Sequence, residues 1–310
     1  MIDAWISKLL ETAHMPNMIE HRIPSSNSHP YILTFGPDGA LWFCDNGAGQ
    51  IGRMDPSTTK FHAFPLPRRD CQPIGIVTGP DGHLWFTEYA GHRVGRITVD
   101  GKVTEFNLPT TSAGPAGIID GGDGNVWFAE TDVAQIASIS PDGIVSEEAT
   151  GIPPKSRPLA LAVRGAEIWF TLAAGSGIGC RAADGAISVI ATESKNSQPR
   201  ALTLHPNGDL WCVLTDANAL ARIDDRNMLT EHRVPTSSAS LRSVTAGAGG
   251  DLWFTENAAD KIGRMRPDGS MVGEYEIPTS GSGARAIVAA PDGRLFFSQY
   301  DIGCIGEVRP

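Results

Sequence analysis

The chain has 310 residues and a formal net charge of −10 without any run of lysine or arginine, so neither a nucleic acid nor an anionic membrane is expected as a partner. Its five cysteines are odd in number and show no C-x-x-C spacing, which argues against a disulfide framework and against a zinc site. No apolar stretch is long enough to span a bilayer and the start lacks a signal-peptide pattern, so we expect a cytoplasmic protein.

Residues 1–15 are predicted to form a short amphipathic helix. Ile2, Ile6, Leu9 and Leu10 fall at helical spacing, with charged residues between them. This segment lies outside the pattern that fills the rest of the chain. We expect it to pack against that remainder or against a second subunit, in a protein that is a monomer or a weak dimer.

An internal repeat fills residues 16–310. Each copy contains a P-D-G-like turn, a W-F-T-E-like strand and an I-G-R-like strand, and its anchoring aromatic recurs every 42 or 43 residues. A constant period of this length, with alternating polar and apolar residues, is typical of a propeller whose blades are four short strands. The sequence therefore predicts one domain, an all-β seven-bladed β-propeller, in which the anchoring aromatics pack between blades. These aromatics are Trp42, Trp85, Trp127, Trp169, Trp211, Trp253 and Phe296.

The two ends of the repeat array are predicted to close the ring. Residues 18–24 match the outermost strand of later repeats, such as residues 103–109, yet they precede the first blade. The last repeat ends after its third strand, residues 304–308. We therefore expect residues 18–24 to supply the missing fourth strand beside residues 304–308, which removes strand edges that would otherwise invite aggregation.

A candidate ligand site lies where the inner strands of the blades begin. The start of each inner strand and the end of each second strand emerge on one face around the channel, and such a mouth is the usual ligand site of a ring-like fold. Three consecutive repeats begin the inner strand with arginine, at Arg200, Arg242 and Arg285, and Arg157 is close by. Guanidinium groups suit planar anions such as carboxylate and phosphate. The alternative is that each arginine pairs with an acid of the protein, for example Arg242 with Glu256.

The same register places a set of acids near the mouth. Glu88, Glu130 and Glu256 end second strands and are further candidates for ligand binding. The alternative is a structural role, as hydrogen-bond acceptors for nearby backbone or for the arginines of the I-G-R strands. Two repeats carry Leu172 and Leu214 at this position, so we expect one side of the mouth to be more apolar.

His29 and Tyr31 are candidate acid and base residues at the first inner strand. The register places His29 near the mouth, and imidazole titrates near neutral pH. A surface or supporting role is the alternative for this histidine. Tyr31, two residues later, is its candidate partner.

Three segments carry a resemblance to a known family. They are G-P-D-G-H-L-W-F-T-E at residues 79–88, A-A-D-K-I-G-R at residues 258–264 and V-T-E-F-N-L-P-T at residues 103–110. They are similar to the repeat of the seven-bladed streptogramin B lyases, also called virginiamycin B lyases, and the resemblance covers about residues 18–310. It implies an enzyme that opens the ester-linked macrocycle of the antibiotic by elimination. It also implies a magnesium ion and a catalytic set of two histidines and two glutamates in the last two blades.

The chain differs from this family at all four of those positions. The resemblance implies that Arg242 and Arg285 stand where the family has histidine, that Gly283 stands for one glutamate, and that Gln299 stands at or beside the other. A guanidinium, with a pKa above about 12, is a poor general base at neutral pH. Glycine and an amide lack the anionic oxygens that magnesium prefers, so we expect no metal and no cofactor here. The family's tyrosine near the first inner strand is matched by Tyr31.

Two functional interpretations stay open. In the first, the protein is a streptogramin B lyase-like enzyme with an altered site, in which His29, Tyr31 or a mouth carboxylate is the acid or base. Arg242, Arg285 and Gln299 then occupy the catalytic positions. In the second, it is a non-catalytic ligand-binding or protein-interaction propeller that has lost lyase activity. We favour a small polar or anionic molecule at the mouth as the partner.

Overall fold

Each copy of the repeat forms four antiparallel strands joined by tight turns. The computed structural model describes residues 16–310, and within them the strands make seven four-stranded sheets arranged in a closed ring. The predicted all-β seven-bladed propeller is confirmed, whereas the predicted helix of residues 1–15 lies outside the described residues. Nothing helical among residues 16–310 is long and apolar enough to cross a bilayer. All five cysteines are buried and free.

The strands, numbered in chain order, follow the same sequence in every blade. The inner strands along the channel are β2 (Pro30–Phe35), β6 (Pro73–Thr78), β10 (Pro115–Asp120), β14 (Pro158–Arg164), β18 (Pro199–Leu204), β22 (Leu241–Ala246) and β26 (Ala284–Ala289). The second strands are β3 (Leu41–Asp45), β7 (Leu84–Glu88), β11 (Val126–Glu130), β15 (Glu167–Leu172), β19 (Leu210–Leu214), β23 (Leu252–Glu256) and β27 (Leu295–Gln299). The third strands are β4 (Gln50–Met54), β8 (Arg93–Ile97), β12 (Gln135–Ile139), β16 (Gly177–Arg181), β20 (Ala219–Ile223), β24 (Lys261–Met265) and β28 (Cys304–Arg309). The outer strands are β5 (Phe61–Pro65), β9 (Val103–Asn107), β13 (Val145–Glu148), β17 (Ile187–Ala191), β21 (Leu229–Arg233), β25 (Met271–Glu276) and β1 (Asn17–Arg22).

Blade 7 is closed by the two ends of the array, as predicted. Its sheet has the order β1-β28-β27-β26, and β1 runs antiparallel to β28, with Met18 opposite Val308. The imidazole of His21 lies 2.8 Å from the carboxylate of Glu307 across this seam. Ile23, just after β1, is 5% exposed. The first strand of the described chain therefore covers the edge that the last strand would otherwise leave open.

The three motifs of the repeat form one packing unit, seen clearly in blade 2. Trp85 is fully buried and packs against Ile118 and Val126 of the next blade. Its indole N–H donates to the carboxylate of Asp81 in the P-D-G turn, at 2.9 Å. Arg96 of the I-G-R strand binds the same carboxylate at 3.0 Å and lies 5.3 Å from the centre of the indole. An arginine over the tryptophan, paired with the turn acid, recurs in blades 1 and 6, so these arginines belong to the far face of the ring and not to its mouth.

Candidate functional site

Every inner strand changes register just after its first residue. In blade 2, Pro73 pairs with Glu88 while Ile76 pairs with Phe86, so two residues of the inner strand oppose one residue of the second strand. The same shift occurs in the other inner strands of residues 16–310. Such a β-bulge bends the strand and changes the direction of its side chains. The residues at these bulges are the ones that line the mouth.

A hydroxyl group holds the bulge in blades 2, 4, 6 and 7. Thr87 accepts a hydrogen bond from the backbone N–H of Gly75 at 2.9 Å and donates to the carbonyl of Ala116 in the next blade at 2.6 Å. The same pair of hydrogen bonds is made by Thr171, Thr255 and Ser298. This residue of the W-F-T-E motif therefore fixes the wall of the mouth. Sequence reasoning missed that role, although the recurrence of a hydroxyl at this position was the signal for it.

The bulged residues surround a space of about 90 Å³, which we call the central cup. Its lining residues are Tyr31, Ile32, Ile74, Gly117, Leu159, Ala160, Arg200, Ala201, Arg242, Ser243, Arg285 and Ala286. None of these lining residues, all within the described chain, is acidic.

Arg200, Arg242 and Arg285 enter the central cup from consecutive blades, as the register predicts. Burial lowers the pKa of Arg242, and repulsion from Arg200 and Arg285 lowers it further. Burial also lowers the pKa of Arg200, which has Arg285 as a repelling neighbour. The Nε atoms of Arg242 and Arg285 are buried without a hydrogen-bond partner.

None of the three forms an ion pair with another part of residues 16–310, so the alternative pairing of Arg242 with Glu256 is absent there. Burial lowers the pKa of Arg200 and of Arg242 by more than the nearby charge of Asp216 raises it. Because no carboxylate of the described chain is in ion-pair contact with the three guanidinium groups, an anion that enters the cup would meet positive charge.

Two tyrosines position the guanidinium of Arg285. Its carbon lies 3.9 Å from the ring centre of Tyr300 and 5.0 Å from that of Tyr31. The two tyrosine rings meet edge to face at 5.8 Å. Tyr31 lines the cup, as the sequence suggested, whereas Tyr300 was missed because it follows the second strand and lies outside the repeat consensus. Cation–π contacts of this kind hold a guanidinium without neutralising its charge.

His29 and Arg157 lie outside the lining of the central cup. The Nδ1 atom of His29 donates to the backbone carbonyl of Tyr300 at 2.8 Å, and the two rings are 4.8 Å apart. The backbone N–H of His29 donates to Asp45 at 2.8 Å. Arg157 is exposed and lies 3.5 Å from the carboxylate of Asp132. The structure therefore brings His29 to the support of Tyr300, and it gives Arg157 a partner of its own.

The acids at the ends of the second strands face the outer strands and not the cup. Glu88 lies beside Glu105 of β9, and Glu256 lies beside Glu274 of β25. Side chains alternate across a strand, so when Thr87 faces the next blade, Glu88 faces its own outer strand. Among residues 16–310 these acids form no ion pair with the arginines of the cup or of the I-G-R strands.

Leu172 and Leu214, which end the second strands of two degraded repeats, are buried in the core. The expected apolar side of the mouth therefore does not come from them. It comes from the bulges of blades 2 and 4, where Ile74 and Leu159 line the central cup.

Each buried glutamate of blades 2, 3 and 6 lies beside a glutamate of its outer strand. Blade 7 provides the comparison, because Gln299 stands at this position and its amide donates to Glu20 on the outer strand at 2.6 Å. In blade 3 the outer-strand partner, Glu147, already accepts bonds from the N–H and hydroxyl of Thr110, at 2.8 and 2.7 Å. Glu130 lies beside this carboxylate, and burial together with the proximity of Glu147 raises the pKa of Glu130, which favours a proton on Glu130.

The surroundings of these glutamates agree with a bound proton. Burial, together with the neighbouring outer-strand glutamate, raises the pKa of Glu88, Glu130 and Glu256 to about 7. In Glu130 one oxygen accepts from Gln135 at 2.8 Å, and the other, Oε1, is buried without a hydrogen-bond partner. Charged groups near the other two are Arg93 and Arg68 for Glu88, and Lys261 for Glu256. These positive charges lower the pKa of Glu88 and Glu256, but they do not return it to the usual value of glutamate.

The free energy of unfolding should fall as the pH rises from about 4.5 to about 7. The usual pKa of glutamate is 4.5, so the folded protein holds these three protons more tightly than the unfolded chain does. Their stabilising contribution is complete below pH 4.5 and is lost as the pH rises through about 7. Replacing Glu88, Glu130 and Glu256 by glutamine, as in Gln299, should flatten this decline in urea unfolding followed by tryptophan fluorescence.

The control variant for this prediction replaces three exposed acids, Asp142, Asp225 and Glu193, by their amides and so changes the net charge equally. It should keep the decline of the unaltered protein. An equally steep decline in the buried triple variant would mean that these carboxyl groups do not hold protons.

The residues at the four positions that the resemblance associates with magnesium do not fit the ion. Arg242 and Arg285 bring positive charge, and Gly283 has no side chain. Gln299 is fully buried, with its amide committed to Glu20. Within residues 16–310 no group of three or more histidine, cysteine, aspartate or glutamate side chains is placed to hold a metal. Magnesium needs several oxygen ligands at short distance, which this donor set does not offer.

Known proteins share both the fold and the repeat of this chain. The virginiamycin B lyase family model matches residues 16–152 and 147–310. A streptogramin B lyase structure superposes with a TM-score of 0.90 at 27% identity, over 95% of this chain and 98% of that one. Virginiamycin B lyase from Staphylococcus aureus superposes with a TM-score of 0.90 at 30% identity, over 95% and 99% of the two chains. A catalytically inactive form of that protein with quinupristin gives 0.90 at 29%, over 95% and 99%. Among curated proteins none matches the chain.

Proposed function

Because the chain belongs to the virginiamycin B lyase family, we propose that its central cup binds a small anionic molecule on Arg200, Arg242 and Arg285. The observation that carries this proposal is the cationic wall of the cup, whose three arginines form no ion pair with an acid of residues 16–310. Like charges at this spacing cost free energy, and burial increases that cost. A carboxylate or phosphate group would offset the cost through charge-assisted hydrogen bonds to the guanidinium edges.

Titration calorimetry with acetate, phosphate and sulfate in a low-salt buffer tests this proposal. We expect at least one of these anions to bind with a stoichiometry of one. Its affinity should decrease as sodium chloride is added, because salt screens partly exposed charges. An absence of binding heat for all three anions, together with no shift of the thermal unfolding midpoint, would contradict the proposal.

Streptogramin cleavage is not the activity that this site supports. We expect no linear product when the protein is incubated with quinupristin and magnesium, since Arg242 and Arg285 are poor bases and the metal has no ligand set. Elimination leaves the mass of the substrate unchanged, so the measurement is liquid chromatography coupled to mass spectrometry. Virginiamycin B lyase from Staphylococcus aureus serves as the positive control. A linear product whose amount grows with the concentration of this protein would show that the expectation is wrong.

A second function, elimination on a different carboxylate-bearing substrate, is favoured by the position of Tyr31. Its ring lines the cup beneath Arg285, at 5.0 Å from the guanidinium carbon. A base at this place would take a proton from the carbon next to the carboxylate; the electron pair left behind would form a C=C bond as the C–O bond on the adjacent carbon breaks, and the leaving oxygen would take up a proton. The arginines would stabilise the negative charge that develops on the carboxylate side. If such turnover is found, Tyr31→Phe should lower kcat much more than it changes KM. The opposite pattern would assign Tyr31 to binding alone.

A further inference from the structure

The central cup has two unlike halves. Blades 5, 6 and 7 contribute Arg200, Arg242 and Arg285, which we call the cationic arc. Blades 1 to 4 contribute the apolar arc, which consists of Ile32, Ile74, Gly117, Leu159 and Ala160. The blades follow one another around the ring in chain order, so each arc is continuous. A ligand that fills the cup touches both arcs at once.

The apolar arc is an apolar surface that the described chain leaves partly uncovered. Ile74 and Leu159 are partly exposed at the channel, whereas Ile76 and Leu161, two residues further along the same strands, are buried at 3% and 5% exposure. The bulge is what separates the two environments, because it turns the first residue of each pair towards the cup. Water against such a concave apolar wall is released favourably when an apolar group takes its place.

The chemistry of the two arcs restricts the ligand. An inorganic anion or a sugar phosphate would neutralise the arginines but leave the apolar arc in contact with water. An uncharged apolar molecule would do the reverse and leave buried guanidinium nitrogens without partners. A cationic amine has no acid among the cup's lining residues to bind it.

We infer that the ligand of the central cup is an amphipathic carboxylate, with its carboxylate on the cationic arc and an aliphatic or aromatic body against Ile74 and Leu159. This inference rests on the proposed function, because it takes the anion site as given. It goes further by assigning the other half of the cup to an apolar group on the same molecule. A carboxylate binds the edge of a guanidinium through two parallel hydrogen bonds.

A series of straight-chain carboxylates tests the inference. Acetate, butanoate, hexanoate and octanoate are titrated into the full chain by calorimetry, with octanamide as the uncharged match of the longest member. The affinity should rise by about fourfold for each methylene group that the apolar arc covers. Octanamide should bind far more weakly than octanoate, because it cannot neutralise the arginines.

A variant of the apolar arc distinguishes the contribution of the aliphatic chain to affinity from that of the carboxylate. In Leu159→Ser with Ile74→Ser, the rise along the series should largely disappear, so octanoate should lose much more affinity than acetate does. Leu204→Ser is the matched control, because Leu204 is 41% exposed at the far end of an inner strand and away from the cup. This control should show the same rise in affinity with chain length as the unaltered protein. If the double variant folds poorly, Leu159→Ala should give a smaller loss in the same direction.

The outcomes are distinct for the two proposals. Equal affinity for all four carboxylates would overturn the amphipathic ligand and leave the anion site in place. Equal binding of octanamide and octanoate would overturn the anion site and leave only an apolar pocket. No binding by any member would overturn both.

Discussion

Replacing both Arg242 and Arg285 by glutamine should lower the affinity of the central cup for its anion by at least about 100-fold. A hydrogen bond to a charged group contributes about 1.5–3 kcal/mol, and 1.4 kcal/mol corresponds to a factor of ten in affinity. Two guanidinium groups are lost in this variant, while glutamine keeps part of the length and polarity of each side chain. Titration calorimetry with the tightest anion found for the unaltered protein measures the change.

The matched control replaces Arg226 and Arg266 by glutamine. Both arginines are exposed on turns between third and outer strands, and this variant has the same net charge as the cup variant. Its affinity should stay close to that of the unaltered protein. Equal losses in the two variants would mean that the anion responds to the overall charge of the protein and not to the cup.

The cup variant also has an expected effect on stability. Burial and mutual repulsion disfavour the charge on Arg242. The thermal unfolding midpoint of the ligand-free variant should therefore rise, as is common when a functional site under strain is relieved. A fall of several degrees would assign the arginines a structural role.

Removal of β1 should lower the midpoint of thermal unfolding by more than about 10 °C, or abolish the cooperative transition. The loss of a buried Ile23 alone removes about 1.5–3 kcal/mol. Glu307 loses its contact with His21, and Gln299 loses the carboxylate of Glu20. In a chain of 310 residues each kcal/mol of lost stability lowers the midpoint by roughly 1.5 °C, and the whole backbone ladder between β1 and β28 is lost together with these contacts. The edge of β28 is also exposed, which should promote self-association.

The loss of stability is measured by comparing a protein that begins at residue 25 with one that begins at residue 16. The second keeps β1, so the difference between the two reports on β1 alone. A synthetic peptide of residues 16–24 added to the shorter protein should restore part of the lost stability by adding the strand back to the sheet. Equal midpoints for the two proteins, measured by circular dichroism, would show that the ring does not depend on this closure.

The repeat period alone predicted the blades and their closure, because a blade is a local unit and its apolar residues must recur wherever a blade recurs. The register also predicted that Arg200, Arg242 and Arg285 share one mouth, since equivalent positions in a ring lie at equivalent places. The repeat did not predict in the same way that the side chain of Glu88 faces its outer strand and not the mouth. Its position is set by strand alternation next to a bulge, and a shift of one residue moves a side chain to the opposite face.

The bulges themselves left only a weak trace in the sequence. Their residues are glycine, alanine, serine, isoleucine, leucine, tyrosine and arginine, which share no propensity for an irregular strand. The hydroxyl that replaces the lost ladder bond comes from Thr87 or its equivalents on another strand, so the signal lies some twelve residues away in blade 2. Tyr300 escaped prediction for a related reason, because its role is set by contact with Arg285 and not by a repeated pattern.

In blades 2, 4, 6 and 7 the hydroxyl that holds the bulge separates what the blade needs from what the mouth displays. Gly75 and Ala160 are tied through their backbone N–H groups, so the side chain next to them, isoleucine in one blade and leucine in the other, takes no part in holding the strand. The mouth positions of these four blades are thus free to vary in chemistry at little cost to folding. A scaffold of this kind can exchange its recognition surface residue by residue, in the way that antibody loops vary on a constant framework, without redesign of its blades.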